Sequence, residues 1–235
     1  MIYLRSFIYN LGMWIFTIPF TTIGLLTFPL APMQRYRFLS QWARCMLWWL
    51  RISCGLSFTV KGRENIPDSP SIILCKHQSA WETLALQLIF PPQVWVLKRS
   101  LLLIPFFGWA LALTSPIAIN RSAGREALKQ LVLLGKERLA KQFWVVIFPE
   151  GTRTSPGERG KYHIGGAWLA THTKTQVVPV AHNAGEFWRK NSFLKYPGVI
   201  QVSIGKPMQT DGVKADVLNQ QVENWIEAEM NTFTP

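Results

Sequence analysis

No charged residue lies between Arg5 and Arg35. An apolar run of that length can cross a hydrocarbon core of about 30 Å, and such a segment must be helical, because lipid offers no partners to a bare backbone. Pro19 is expected to interrupt the run, and Pro29 and Pro32 to end it. The run is too long for an ordinary signal peptide and lacks its small-residue cleavage site. It reads as a retained anchor that either spans the membrane or dips into one leaflet.

The stretch from Gln34 to Arg51 differs. Arg35, Arg37, Arg44 and Arg51 alternate with Phe38, Trp42, Leu47, Trp48, Trp49 and Leu50, and Leu39, Trp42, Met46 and Trp49 follow helical spacing. A basic, Trp-rich helix suits a membrane interface, with its arginines reaching lipid phosphates. The alternative is a helix packed on the domain with its arginines in water. Together the two segments form a helical hairpin over residues 1–54, basic at both ends, so charge alone does not decide its topology. The whole chain carries a formal net charge of +12, and 49% of its residues are hydrophobic against only 16% charged. A typical soluble domain has about 25% charged residues. The basic charge favours an anionic ligand, and the apolar excess selects anionic membrane lipids over nucleic acid, for which no signature is present. Cys45, Cys54 and Cys75 are too few and too irregular for a disulfide framework or a zinc site, so they read as reduced thiols in a cytosol-facing protein.

From residue 55 to 235 the pattern changes to strands alternating with helices. Strands are expected at Phe58–Val60, Ile72–Cys75, Val94–Leu97, Ile117–Ile119, Phe143–Phe148, Val177–Val180 and Val199–Ile204. Helices are expected at Ala80–Ile89, Phe106–Leu113, Arg125–Lys141, Gly165–His172 and Val213–Met230. This alternation predicts an α/β domain, a sheet flanked by helices.

Two segments at strand ends carry chemistry. The first is Cys75-Lys76-His77-Gln78-Ser79-Ala80-Trp81-Glu82. An imidazole backed by a carboxylate can take a proton from a hydroxyl near neutral pH. Five residues is the wrong spacing for one helix face, so the pair can meet only with His77 in the turn and Glu82 in the first helical turn. Ser79-x-x-Glu82 is also a capping box, in which Glu82 simply caps the helix with Ser79 as N-cap; both roles remain open. Cys75 and His77 would share a strand face, which allows a thiol nucleophile, although a buried cysteine is the commoner state. The second segment is Phe148-Pro149-Glu150-Gly151-Thr152-Arg153. Here Gly151 permits close backbone approach, and Arg153 offers a fork of donors to a phosphate. The competing reading is a Pro/Gly turn with an Arg–Glu pair. Arg121 is a second phosphate candidate or a solvated loop arginine. The apolar Ile104–Trp109 stretch could line an acyl tunnel or form an ordinary core or membrane-contacting helix. His163, His172 and His182 lack metal-ligand spacing.

His77-x4-Glu82, the Ile104–Arg121 block, Phe148–Arg153 and Val178-Pro179-Val180 stand in the order of four acyltransferase motifs. On these residues the chain resembles the glycerolipid acyltransferase family over roughly Phe58 to Gly205. The resemblance implies a mixed sheet flanked by helices on an N-terminal membrane-embedded helical pair. It implies acyl transfer from acyl-CoA or acyl-acyl carrier protein to the sn-2 hydroxyl of lysophosphatidate, giving phosphatidate without a covalent intermediate. His77 would be the base and Glu82 its orienter, where the family usually has Asp. Arg121 and Arg153 would bind phosphate, and Glu150, Gly151 and Thr152 would shape the glycerol site. Pro179 would lie near the acyl-donor pocket. No metal or organic cofactor is implied, and the setting would be the inner membrane with the catalytic domain facing the cytoplasm. The rivals are an enzyme for another lysophospholipid or an ornithine lipid, and a non-catalytic lipid-binding protein.

Overall fold

The computed structural model describes residues 1–104 and 107–233. The side chains of Phe107 and Arg121 lie outside the described part, as does the expected helix start at Phe106. Among the described residues, seven strands form one sheet: β1 (Leu56–Lys61), β2 (Ile72–Cys75), β3 (Gln93–Lys98), β4 (Ile117–Ile119), β5 (Trp144–Ile147), β6 (Val177–His182) and β7 (Gly198–Ile204). Their order is β1-β7-β6-β2-β5-β3-β4. Neighbours are parallel except β6 and β7, so the sheet is mixed. Each expected strand is present, and the fold is α/β.

The central strands β2, β5 and β6 are buried along their whole length. This is why they read as continuous apolar runs rather than alternating ones: both faces are covered. Side chains alternate across the sheet. Ile73 and Cys75 point into one core, and Ile72 and Leu74 into the other. The second core is closed by α5 (Arg125–Ala140), α6 (Gly165–Thr173) and α8 (Ala215–Met230), which contribute Leu131, Leu169, Leu218, Val222 and Ile226.

The first core is closed by α3 (Trp81–Ile89) and by the N-terminal hairpin, α1 (Ile2–Leu26) and α2 (Pro32–Cys54). Two short helices complete the chain, α4 (Phe107–Leu113) between β3 and β4 and α7 (Ala184–Phe187) between β6 and β7. Pro32 opens α2 where its missing N–H costs nothing, and Gly55, at φ +68, closes it by donating to Arg51 O. The expected break at Pro19 does not occur, because α1 runs through it. Packing on both sides of the proline holds the helix. Trp42 Nε1 donates to Thr17 Oγ1 at 3.1 Å, Phe20 meets Phe38, and any side chain at Gly12 would overlap the Trp49 indole.

The hairpin is not a separate body, since Met46, Leu47 and Leu50 of α2 share a core with β2, β5 and β6. The outer face of α1 is unlike a core helix. Only 22% of its most apolar window is buried, and Leu4, Phe7, Leu11, Trp14, Ile15 and Ile18 are exposed. Its length and composition suffice to cross a membrane. On α2, Arg37, Arg44 and Arg51 recur every seven residues and are all exposed, forming one basic stripe.

Candidate active site

The segment between β2 and α3 stands at the carboxyl ends of parallel strands, where α/β sheets place ligands. Lys76 N–H still reaches Val180 O on β6 at 2.9 Å. One residue later the strand pattern stops, and side chains take over. His77 N–H donates to Glu150 Oε2 at 2.8 Å, and His77 O accepts from Thr154 N at 2.8 Å and Thr154 Oγ1 at 3.2 Å. The segment that follows β5 therefore grips the His77 backbone from both sides.

Glu82 is the second residue of α3, and it does meet His77. Its Oε1 lies 2.8 Å from His77 Nδ1 and also accepts Gln78 N–H at 3.0 Å and Ser79 N–H at 2.8 Å. A single oxygen thus serves both orientation and capping. The second, Oε2, is buried with no hydrogen-bond partner among the described residues and lies 3.9 Å from His182 Nε2. The helix begins one residue later than expected, with Ala80 at the N-cap position. Ser79 Oγ still accepts Trp81 N–H at 3.2 Å. Burial opposes the Glu82 charge, but His182, the His77 hydrogen bond and Ser79 N–H outweigh it and hold the carboxyl below its usual range. An ionised Glu82 accepts from Nδ1–H, and that tautomer leaves the lone pair on His77 Nε2. Nε2 has no partner among the described residues.

The imidazole is also fixed from its face. Phe148 stacks on it at 3.9 Å between centroids with 10° between planes, and Trp95 stacks behind Phe148 at 5.9 Å. Phe148 forms part of the wall of an apolar cavity of about 300 Å³ beneath α5 and α6. Trp95 belongs to the wall of a second cavity, of about 130 Å³, between the hairpin and α4. Ala110 and Leu111, just after the Ile104–Trp109 stretch, line this second cavity. Two apolar spaces thus approach the aromatic stack behind His77.

The remaining expected residues separate into groups. Glu150 is buried, and its carboxylate is turned inward. Besides His77 N–H it binds Lys76 Nζ at 2.7 Å and Thr154 Oγ1 at 3.2 Å. Gly151 adopts φ +70, a conformation that a side chain would strain, and its N–H donates to Phe148 O. Thr152 is exposed. Arg153 is half-buried beside Thr154 and has no ion pair or hydrogen-bond partner among the described residues, so no Arg–Glu turn pair forms. Arg121 opens a short 3-10 turn at the end of β4, but its side chain lies outside the described residues. Pro179 is set apart. It is buried within β6, accepts Gly205 N–H at 2.9 Å, and packs with Trp225 of α8 around Gly205.

The thiol alternative fails on geometry. Cys75 is fully buried, its Sγ contacts Lys76 O at 3.2 Å, and burial raises its pKa well above the ordinary value. A buried neutral thiol is inert. Three residues to which the sequence assigned no role belong to this site. Lys76 is fully buried in a charge cluster, and a lone lysine at the end of an apolar strand was its only signal. His182 lies behind Glu82, donates Nε2–H to Lys76 O at 2.9 Å and accepts Ala184 N–H at Nδ1. Glu227 reaches in from α8, with no signal in its local sequence.

A family model described as Acyltransferase matches residues 57–183, more than half of the chain and the span that carries this site. The chain belongs to the acyltransferase family. Among its relatives, the 1-acyl-sn-glycerol-3-phosphate acyltransferase of Pseudomonas aeruginosa is 49% identical over 90% of this acyltransferase and 86% of the relative. The Saccharomyces cerevisiae protein of the same name is 32% identical over 83% of this chain and 66% of its own. The crystal structure of the 1-acyl-sn-glycerophosphate acyltransferase PlsC from Thermotoga maritima shares the fold at 20% identity. Its TM-score is 0.78, covering 97% of this acyltransferase and 94% of that chain.

Proposed function

We propose that this acyltransferase moves a fatty acyl group from an acyl thioester to the sn-2 hydroxyl of 1-acylglycerol-3-phosphate, giving phosphatidate. The observation that carries the mechanism is the 2.8 Å contact between His77 Nδ1 and an ionised, buried Glu82, which leaves Nε2 as a free base. His77 Nε2 takes the hydroxyl proton as the oxygen attacks the thioester carbonyl. The tetrahedral intermediate collapses, the carbon–sulfur bond breaks, and the departing thiolate receives that proton from the imidazolium. Glu82 remains ionised throughout and stabilises the transient cation.

Arg153, with no partner among the described residues, binds the acceptor phosphate together with Arg121, and Gly151 and exposed Thr152 border the glycerol. Glu150 contributes from behind by holding His77 rather than by touching substrate. We assign Pro179 no substrate contact, because it packs against α8. The apolar cavities beside Phe148 and Trp95 suit hydrocarbon. The donor is acyl-CoA or acyl-acyl carrier protein, either of which a basic protein attracts. The exposed apolar face of α1 and the arginine stripe of α2 rest on anionic lipid of the inner membrane, with the catalytic domain toward the cytoplasm.

The test is transfer of labelled acyl groups to lysophosphatidate by the purified protein. The wild type is expected to form phosphatidate and folded His77→Ala to lose about 10²–10⁴-fold in rate. Retained activity in His77→Ala rules out the base. Acylation of a different lysolipid in preference to lysophosphatidate reassigns the acceptor.

A further inference from the structure

We propose that Lys76 is a positioning residue for His77, acting through the Glu150 carboxylate and held in turn by Glu227 and Tyr162. The inference rests on the reading of His77 as base.

An ammonium group is rarely left 1% exposed, because removal from water costs more than a loose partner returns. Lys76 Nζ lies 2.7 Å from Glu150 Oε1 and 2.9 Å from Glu227 Oε1, and also approaches Glu158 O at 3.4 Å. Tyr162 OH donates to the same Glu227 oxygen at 2.8 Å. One cation therefore sits between two carboxylates that would otherwise repel each other across a buried space.

The arrangement matters at His77. The parallel ladder ends with Lys76 N–H on Val180 O, so no strand neighbour takes the next N–H. Glu150 Oε2 takes it instead. Glu150 can do so only while Oε1 is held away, and Lys76 and Thr154 are what hold it. The backbone of Lys76 is fixed as well, by Val180 O at its N–H and by His182 Nε2 at its carbonyl. The Lys76 ammonium makes its contacts with Glu150, Glu227 and the Glu158 carbonyl rather than with the imidazole. Its effect is to set where Nε2 stands. Through Glu227 the lysine also meets α8, which is 151 residues away along the chain.

The test compares Lys76→Met, Glu227→Gln and the double variant, each confirmed as folded, by kcat and acceptor KM. Misplacing a catalytic group by about 1 Å costs about 10²-fold, so Lys76→Met should lose about that much kcat while KM stays within about twofold. Glu227→Gln keeps the Lys76–Glu150 pair and should stay within about threefold of wild type. The double variant removes the carboxylate left unopposed by Lys76→Met, so it should recover about fivefold over that single change; such non-additivity marks direct coupling. Wild-type kcat in Lys76→Met, a loss confined to KM, or additive losses overturn the proposal. Should Lys76→Met not fold, the double variant must turn over about tenfold slower than Glu227→Gln, and parity between them overturns it. Activity retained in His77→Ala would instead remove the base reading itself, whereas an inactive His77→Ala beside a fully active Lys76→Met removes only this inference.

Discussion

The imidazole of His77 lies face to face with the ring of Phe148, the planes 10° apart. The Nδ1 contact to Glu82 sets the rotation of the ring, and the stack sets its tilt. Phe148→Leu preserves an apolar neighbour but not a flat one. It should lower kcat by about tenfold, well short of the 10²-fold effect of a displaced group, with little change in acceptor KM. Steady-state kinetics on the purified variant decide this, and an unchanged kcat would leave the stack a packing contact only.

Glu82→Gln separates the charge of this group from its hydrogen bonds. The amide oxygen can still accept Gln78 and Ser79 N–H, so the thermal midpoint should move little. The same amide oxygen still accepts His77 Nδ1–H, so the tautomer is kept, but the negative charge that stabilises the imidazolium is gone. Activity should fall about 10²–10⁴-fold. A large loss of stability with modest loss of rate would reverse the assignment. Glu82→Asp keeps the charge but shortens the reach, and should fall between the wild type and Glu82→Gln.

Arg153→Ala should act on binding. A charged hydrogen bond to phosphate is worth about 1.5–3 kcal/mol, which corresponds to roughly 10–150-fold in acceptor KM with a smaller change in kcat. The comparison with a lysolipid that lacks the phosphate is the control: Arg153→Ala should narrow the preference between the two acceptors, and equal discrimination before and after would remove Arg153 from the phosphate site.

The buried His182 sets an acid limit. Burial lowers its pKa below the usual value, although nearby Glu82 pulls the other way. Its Nδ1 accepts Ala184 N–H, in keeping with a neutral ring. In the unfolded chain the imidazole takes a proton near pH 6.5, before the folded protein does. Its contribution to stability is therefore complete above about pH 6.5 and is lost as the pH falls toward the folded value. Glu82 adds a second loss below about pH 4.3, because its folded pKa is also depressed. Thermal midpoints across this range should decline less steeply between about pH 6.5 and pH 5 in His182→Gln; identical slopes would show that other groups titrate there.

The stripe of Arg37, Arg44 and Arg51 should govern lipid choice. Each basic residue near an anionic surface contributes about 1 kcal/mol, so changing all three to Gln should remove about 3 kcal/mol of preference for anionic over zwitterionic vesicles. Flotation at matched ionic strength measures it. A preserved preference would place the arginines away from the surface.

The sequence disclosed elements better than their meeting points. Apolar runs such as Ile72–Cys75 and Ile117–Ile119 marked strands to the residue, and in Ile72–Cys75 burial on both faces leaves little room for polar side chains. Pro19 misled, since local chemistry disfavours proline in a helix while packing against Trp42 and Phe38 restores it. The His77–Glu82 pair was visible as two options that turned out to share one oxygen. Lys76 and Glu227 could not be paired from sequence, because nothing local to either specifies a partner 151 residues distant. The inward turn of Glu150 was hidden for the same reason: an acid in a Pro/Gly turn reads as a surface group until the neighbouring strand is placed against it.

Met46, Leu47 and Leu50 of the hairpin fill the same interior as the strands that carry His77. An enzyme built this way has no tether. On the proposed reading, His77 Nε2 would stand at a constant height above whatever plane the hairpin occupies, with no linker to lengthen toward a deeper or shallower substrate. In the proposed membrane setting, lipid would arrive by lateral drift to that one level. Removing the first 54 residues would not release a soluble catalyst but would strip the floor from beneath the sheet.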